Sequence, residues 1–178
     1  MRSASGRRDL AIRIGELPDS TFIARRLAPS RVYLCASPEY LRRRGTPTRP
    51  EQLSAHDCLI YSYRRAGPSW SLHGPEGEVS VRVRGPLRSN SGDALLAAAR
   101  VGLGFALLPD FLVADDLRAG RLLALPSEWM RTAAAIWLVY PHARHLSAKV
   151  RVFVDFLLAR CGERPAWQID DTQLAAPP

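Results

Sequence analysis

Asn90-Ser91-Gly92-Asp93 is the stretch whose residue types best fit binding chemistry. Ser91 stands ahead of Ala94 to Arg100, a run carrying Leu95, Leu96 and Ala99, so it can cap a helix there. A helix start leaves backbone N–H groups without partners inside the helix, at the positive end of its dipole. With the small donors of Asn90 and Ser91 beside them, these groups suit a carboxylate or another small anion. A plain helix cap uses the same residues, so the pattern leaves both readings open.

Reaction chemistry finds less support. The sequence has no GxSxG serine elbow and no GxxxxGK[ST] phosphate loop. Gly102-Leu-Gly104 lacks a third glycine at the dinucleotide spacing and precedes a strand-like run rather than a helix. His142 and His145 are spaced like metal ligands, but no cysteine or carboxylate stands near them. His56 adjoins Asp57 with no nucleophile indicated, and His73 is isolated. Asp115 and Asp116 are neighbours on a predicted helix, where adjacent side chains point apart, and read as a solvated face. Cys35, Cys58 and Cys161 form an odd, widely spaced set without a CxxC pair. Cys35 and Cys58 lie in apolar runs and read as small hydrophobes. The expectation is a binding module with no catalytic residue, no metal site and no cofactor.

Composition narrows the class. The 178 residues are 47% hydrophobic, enough for a core and too apolar for wholesale disorder. At about 150 residues per domain, this is one domain or two small lobes. The longest uninterrupted apolar stretch, Ala133 to Tyr140, falls short of the about 18 residues of a spanning helix. Met1 to Arg8 is polar and has no secretory h-region. These features point to a cytoplasmic chain with no membrane contact. Lys+Arg 25 against Asp+Glu 17 gives a net charge of +8, yet Lys149 is the only lysine. The arginines are scattered, with Arg42-Arg43-Arg44 the one run of three. No basic stripe interleaves with aromatics, so the charge reads as a solvated arginine-rich surface rather than a nucleic-acid grip.

Strand and helix patterns alternate along the chain. Leu10, Ile12 and Ile14 share one face of a strand that stops at Gly15, and Arg31 to Ala36 is a second strand. Ser37-Pro38-Glu39 opens a helix that should stop at Gly45. Pro50 to Leu53 suits a short helix, and Asp57 to Tyr63 and Val79 to Val83 suit strands. The Gly/Pro-punctuated stretch between those strands, with Trp70, suits a hairpin-like excursion. Past the Ser91 helix, Phe105 to Leu108 reads as a buried parallel strand closed by Pro109. A helix over Asp110 to Ala119 follows, with Gly120 after it, then an extended Arg121 to Leu125. Ala133 to Tyr140 reads as a buried strand and Ser147 to Cys161 as the last helix. Across that helix Leu146, Val150, Phe153, Leu157 and Cys161 step by three and four. Residues 162–178 read as a loose tail.

This order predicts an α/β fold with mostly parallel sheets. A late return to the first sheet divides the chain into two lobes, 9–36 plus 138–161 and 37–137. They join near Cys35–Ser37 and Tyr140–His142. Ligands in open α/β sheets sit at the carboxyl ends of strands.

Several stretches carry a resemblance. Asp9-Leu-Ala-Ile-Arg-Ile-Gly-Glu-Leu17 is followed by Ile23-Ala-Arg-Arg-Leu27, Cys35-Ala-Ser-Pro-Glu-Tyr-Leu41 and Leu53-x-x-His56-Asp-Cys58. Ala97 through Gly102-Leu-Gly-Phe-Ala-Leu-Leu-Pro109, then Val139-Tyr-Pro-His142 and the helix Leu146 to Phe156, complete the series. In this order, over about residues 9 to 161, they resemble the effector-binding domain of LysR-type transcriptional regulators. The resemblance implies two Rossmann-like lobes as in periplasmic binding proteins. The first lobe is expected to be incomplete, because its opening strands should precede Asp9. It also implies a small-molecule effector, an organic acid or an aromatic, held between the lobes. A homo-oligomer is implied too, with DNA contact only through an N-terminal winged helix-turn-helix region missing from this chain. An isolated solute-binding module and a non-functional truncated remnant are the alternatives.

The family pattern transfers to particular positions. Arg13, Gly15 and Glu16 fall at the end of the lobe-one strand and its loop, and look towards the effector. Asn90, Ser91 and Gly92 fall at the start of the lobe-two helix, whose N–H groups look like effector donors. Pro109 and Asp110 follow the next strand on the same side.

Overall fold

The computed structural model describes residues 9–15, 22–63, 67–130, 134–141, 147–161, 165–170, 172 and 174. In chain order the elements begin β1 (Ala11–Ile14), β2 (Phe22–Ser30), β3 (Val32–Ala36), α1 (Pro38–Arg44) and a 3-10 turn at Pro50–Ala55. Then come β4 (Cys58–Tyr61), β5 (Ser69–Gly74), β6 (Gly77–Arg82), β7 (Arg88–Ser89), α2 (Gly92–Arg100), β8 (Phe105–Pro109) and α3 (Asp110–Arg118). The series closes with β9 (Leu123–Ala124), a 3-10 turn at Ser127–Trp129, β10 (Ala134–Pro141) and α4 (Ala148–Cys161). They divide between two compact units. Unit 1 takes Met1–Arg31 and Ala133–Ala166; unit 2 takes Val32–Thr132 and Trp167–Pro178.

Unit 2 is built on a five-stranded sheet in the order β7-β4-β8-β3-β9. Side chains of a strand alternate between faces, and β3 shows it. Leu34 and Ala36 enter a core with Tyr40, Leu41, Leu53, Trp70 and Leu72. Tyr33 and Cys35 enter a second core with Leu95, Ala99, Val113 and Leu117. The sheet is therefore covered on both faces, by α1 and the antiparallel β5–β6 hairpin on one and by α2 and α3 on the other. Each fully buried large apolar side chain, such as Leu34 or Leu95, contributes about 1.5–3 kcal/mol.

Local chemistry sets the boundaries of α1. Ser37 Oγ accepts from the Tyr40 amide at 3.2 Å, Pro38 occupies the first turn, and Gly45 at φ 82° returns its N–H to Leu41 O at 2.8 Å.

In unit 1, β10 is the centre of an antiparallel three-stranded sheet, β1-β10-β2. Ile136, Leu138 and Tyr140 are buried, whereas Ala135, Trp137 and Val139 are half-buried. The helix α4 packs against β2 and buries Val150 and Val154. Lys149 forms an ion pair with Asp9.

The structure departs from the sequence expectations in several places. The sheets are mixed rather than mostly parallel: β3 runs antiparallel to both β8 and β9, and only β4–β7 and β4–β8 are parallel. An apolar run buried on both faces reads the same in either direction, so the residues carry no sign of it. The strand β2 was not expected, because Arg25-Arg26 and Pro29 interrupt its pattern; it is an edge strand, where such residues are tolerated. Sequence reading put 9–36 plus 138–161 in one lobe and 37–137 in the other, but Val32–Ala36 pairs within unit 2 and all of Ala134–Pro141 within unit 1. The units join before those two strands rather than after β3 and within β10.

Three further differences concern single elements. Phe153 of α4 is exposed, so the buried face is narrower than the spacing from Leu146 to Cys161 predicted. Asp116 is not solvated: it is fully buried, while its neighbour Asp115 is exposed, as two positions about 100° apart on a helix can be. The tail is not loose where it is described, since Trp167, Ile169 and Leu174 pack on the second core of unit 2.

Candidate functional site

Strand direction decides where a site can form in unit 2. Cys58 pairs with Phe105 and Leu59 with Ala106 in parallel, and Ile60 with Arg88 and Tyr61 with Ser89 in parallel. The carboxyl ends of β7, β4 and β8 therefore share one edge. Val32, at the start of the antiparallel β3, pairs with Pro109 at that same edge.

Five predicted residues meet on this edge: Asn90, Ser91 and Gly92 after β7, and Pro109 and Asp110 at the end of β8. Ser91 is the N-cap of α2, in an extended conformation, and its Oγ accepts from the Ala94 amide at 3.3 Å. Its own amide donates to Ser89 Oγ at 3.1 Å. The amides of Gly92 and Asp93 lie in the first turn, where the helix itself offers no acceptor. Asn90 Nδ2 donates to Tyr63 Oη at 3.3 Å. Asp110 is buried and opens α3, and its Oδ1 accepts from the Phe111 amide at 2.9 Å. Its carboxylate is thus committed, at least in part, to the start of α3.

Sequence reading missed the aromatic part of this edge. The Tyr61 and Tyr63 rings stand edge-to-face with centroids 6.0 Å apart, and Tyr63 is 70% exposed. The signal was available, since Tyr61-Ser62-Tyr63 alternates at the end of an apolar run. Ser89, which opens the polar run ahead of α2, is set beside Tyr61 by strand register. Together these groups offer open amides, an amide side chain, hydroxyls and aromatic faces, with no nucleophile paired to a base. That inventory can hold a small polar or anionic molecule.

Arg13 and Gly15 lie in unit 1, at the end of β1. The Gly15 amide donates to Ala135 O at 3.0 Å, and its carbonyl accepts from Trp137 Nε1 at 3.1 Å. Glu16 and the His142/His145 pair lie outside the described residues. Elsewhere in unit 2, His56 Nδ1 meets the Tyr40 hydroxyl at 3.3 Å, and that hydroxyl accepts from the Asp57 amide at 2.9 Å. Burial, and then the nearby Arg44, hold His56 below its ordinary pKa. Among the described residues, no three His, Cys, Asp or Glu side chains converge as a metal site requires.

Comparison with known proteins gives a consistent result. Residues 2–162 match the model of the LysR substrate binding domain. The chain is 39% identical over 158 residues to the HTH-type transcriptional activator TtdR of Escherichia coli K12, covering 88% of this chain and 50% of that protein. It is 35% identical over 155 residues to the HTH-type transcriptional regulator CrgA of Neisseria meningitidis, covering 86% and 52%. It therefore spans about half the length of the curated relatives it matches. Among solved structures, the CrgA regulatory domain superposes with a TM-score of 0.76 at 34% identity, covering 86% of this chain and 76% of that one. A full-length AphB variant gives a TM-score of 0.73 at 32% identity, covering 84% and 51%. These relatives are transcriptional regulators, not enzymes.

Proposed function

This chain belongs to the family of LysR substrate-binding domains, and from that premise we propose that it is the effector-sensing part of a LysR-type transcriptional regulator. It binds a small molecule, an organic acid or an aromatic, and makes or breaks no covalent bond. Binding shifts the population of states of a homo-oligomer. We assign DNA contact to the half of such regulators that this stretch does not span. The site of action is the cytoplasm; no helix among the described residues is long and apolar enough to cross a membrane.

The observation that carries the reading is the meeting of Asn90, Ser91, Gly92, Pro109 and Asp110 on the carboxyl edge of β7, β4 and β8. In it the open amides of α2 take the anionic group of the effector, and Asn90 and Ser91 orient it. Arg13, Gly15 and Glu16 are kept as effector contacts on the strength of the family pattern at the end of β1.

Calorimetric titration of the folded chain with a panel of small carboxylates and aromatics tests this. At least one ligand is expected to bind, and Ser91→Trp is expected to weaken it by more than about tenfold while lowering the melting temperature by only about 2–8 °C, through loss of the cap bond to Ala94. Silence across the panel overturns retained sensing. An unchanged affinity in Ser91→Trp removes the helix start from the site.

A further inference from the structure

The chain passes between the two units three times: at Arg31–Val32, at Thr132–Ala133 and at Ala166–Trp167. The third passage lies beyond residue 162, where the match to the family model ends. Its far side is anchored along α3. Trp167 stands edge-to-face with Phe111 in the first turn of that helix, with ring centroids 6.5 Å apart. The Gln168 carbonyl accepts from Arg118, in the last turn, at 3.0 Å. Phe111 and Arg118 are about two helical turns apart and share one face of α3, so the tail lies along that face. Ile169 is buried, and Trp167 and Leu174 pack on the same core. Thr172 then donates its amide and its hydroxyl to Asp170 Oδ1 at 3.1 and 2.7 Å, which turns the chain back after the anchor.

Docking carries one penalty. Trp167 Nε1 is buried without a hydrogen-bond partner among the described residues. A released tail regains a bond from this donor to water. That penalty opposes the apolar gain and makes the attachment reversible.

The near side of the passage is short. Cys161 ends α4 in unit 1, and residues 162–166 separate it from Trp167. Fully extended, that length spans at most about 20 Å. While Trp167 is docked, the end of α4 therefore stays within that distance of the Trp167 backbone. The anchor also adjoins the candidate site. Phe111 follows Asp110 directly, and Val32, where the first passage enters unit 2, pairs with Pro109. The first and third passages thus attach to unit 2 close together, at the carboxyl end of β8. Two attachments side by side permit a swing about their common line and resist twisting and parting.

We propose that the tail, through Trp167, Ile169 and Leu174, is a strap that ties α4 of unit 1 to α3 of unit 2 and limits how far the two units part. Its use in sensing rests on the effector-sensing reading; its mechanics do not.

Distances between two spin labels, measured by pulsed electron resonance on the full chain, test this. The labels go on Arg151→Cys in unit 1 and Arg82→Cys in unit 2, both exposed positions, with Cys161→Ser removing the half-exposed native thiol. A Gly/Ser insert of about ten residues between Gly162 and Glu163 adds about 17 Å of r.m.s. reach and replaces none of the anchors. With it, the distance distribution is expected to broaden and to extend by about 10–20 Å. Trp167→Ala, which removes one anchor at native length, should broaden it in the same direction. The same insert between Pro75 and Glu76, in the turn of the β5–β6 hairpin, should leave it unchanged. An unchanged width in either strap variant, or equal broadening in the hairpin control, overturns the strap. No ligand enters this experiment, so its failure leaves the sensing reading to the separate test at Ser91.

Discussion

Arg100, the last residue of α2, grips Asp116 of α3 with both carboxylate oxygens engaged: Nε donates to Oδ1 at 2.9 Å and a terminal guanidinium nitrogen donates to Oδ2 at 2.5 Å. Arg121 adds a third bond, Nε to Oδ1 at 2.6 Å. The carboxylate is fully buried while both arginines keep about half their side-chain surface in water. The ionised acid is thus the desolvated member, and the arginines bear most of its compensation.

Loss of one arginine leaves Asp116 still partnered, so Arg100→Ala or Arg121→Ala should each cost about 1.5–3 kcal/mol. The double variant strands a buried charge and should cost about 3–5 kcal/mol. Urea unfolding of the four forms measures the coupling.

Burial pushes the Asp116 carboxyl up, but the hydrogen bonds and charges of Arg100 and Arg121 outweigh it and hold the group below its ordinary 3.8. The folded state thus favours the ionised form. Its contribution is complete above that ordinary value and is lost as pH falls through the lower folded value. Asp116→Asn should flatten the acid limb of the melting-temperature profile, measured by circular dichroism from pH 7 down to pH 2.

For His56 the sign is the same but the window differs. Its folded pKa lies below the ordinary 6.5, so protonation favours the unfolded chain, and stability falls as pH drops through 6.5 and below. Proton NMR should show one imidazole titrating below the ordinary 6.5, and His56→Gln should remove that signal.

Three glycines differ in what they can accept. A Cβ on Gly104 would stand 2.3 Å from Asp57 O, and one on Gly85 would stand 2.1 Å from Cys58 O, both backbone atoms at β4. Gly104→Ala and Gly85→Ala should each cost at least about 1–3 kcal/mol. The Cβ of Gly92→Ala would meet the end of the Leu112 side chain at 2.5 Å, which can rotate away, so that variant should lose less. Thermal melts of the three rank them.

Cys35 and Cys58 are buried, and burial first, then the nearby Asp116 and Asp57 charges respectively, pushes their thiols up to about 12. Cys161 keeps partial exposure. A thiol reagent at pH 7.5 should modify one cysteine in the native chain and three after denaturation, and Cys161→Ser should abolish the native reaction.

Much of the second unit was legible because its signals are local. Ser37 with Gly45, and Ser91 ahead of Leu95, mark helix ends by chemistry that operates within one turn. The helix start at Asn90–Gly92 was readable for the same reason. What stayed hidden is set by partners far apart in sequence. The direction of β3 relative to β8 depends on residues over 70 positions away. The docking of the tail on α3 depends on a ring contact between Trp167 and Phe111. Asp116 read as solvated because nothing local tells which of two adjacent helix positions faces an arginine on another element.

The stretch matched by the family model stops at residue 162, yet the folded body does not. Trp167 stands edge-to-face with Phe111 at 6.5 Å, Ile169 is 5% exposed, and the Gln168 carbonyl accepts from Arg118 at 3.0 Å. An expression piece trimmed to the family boundary would strip a lid from Phe111 and from the core beneath it. Bare apolar surface invites clumping. Preparations meant for crystals or ligand screens should therefore be cut after Leu174, not at the homology edge.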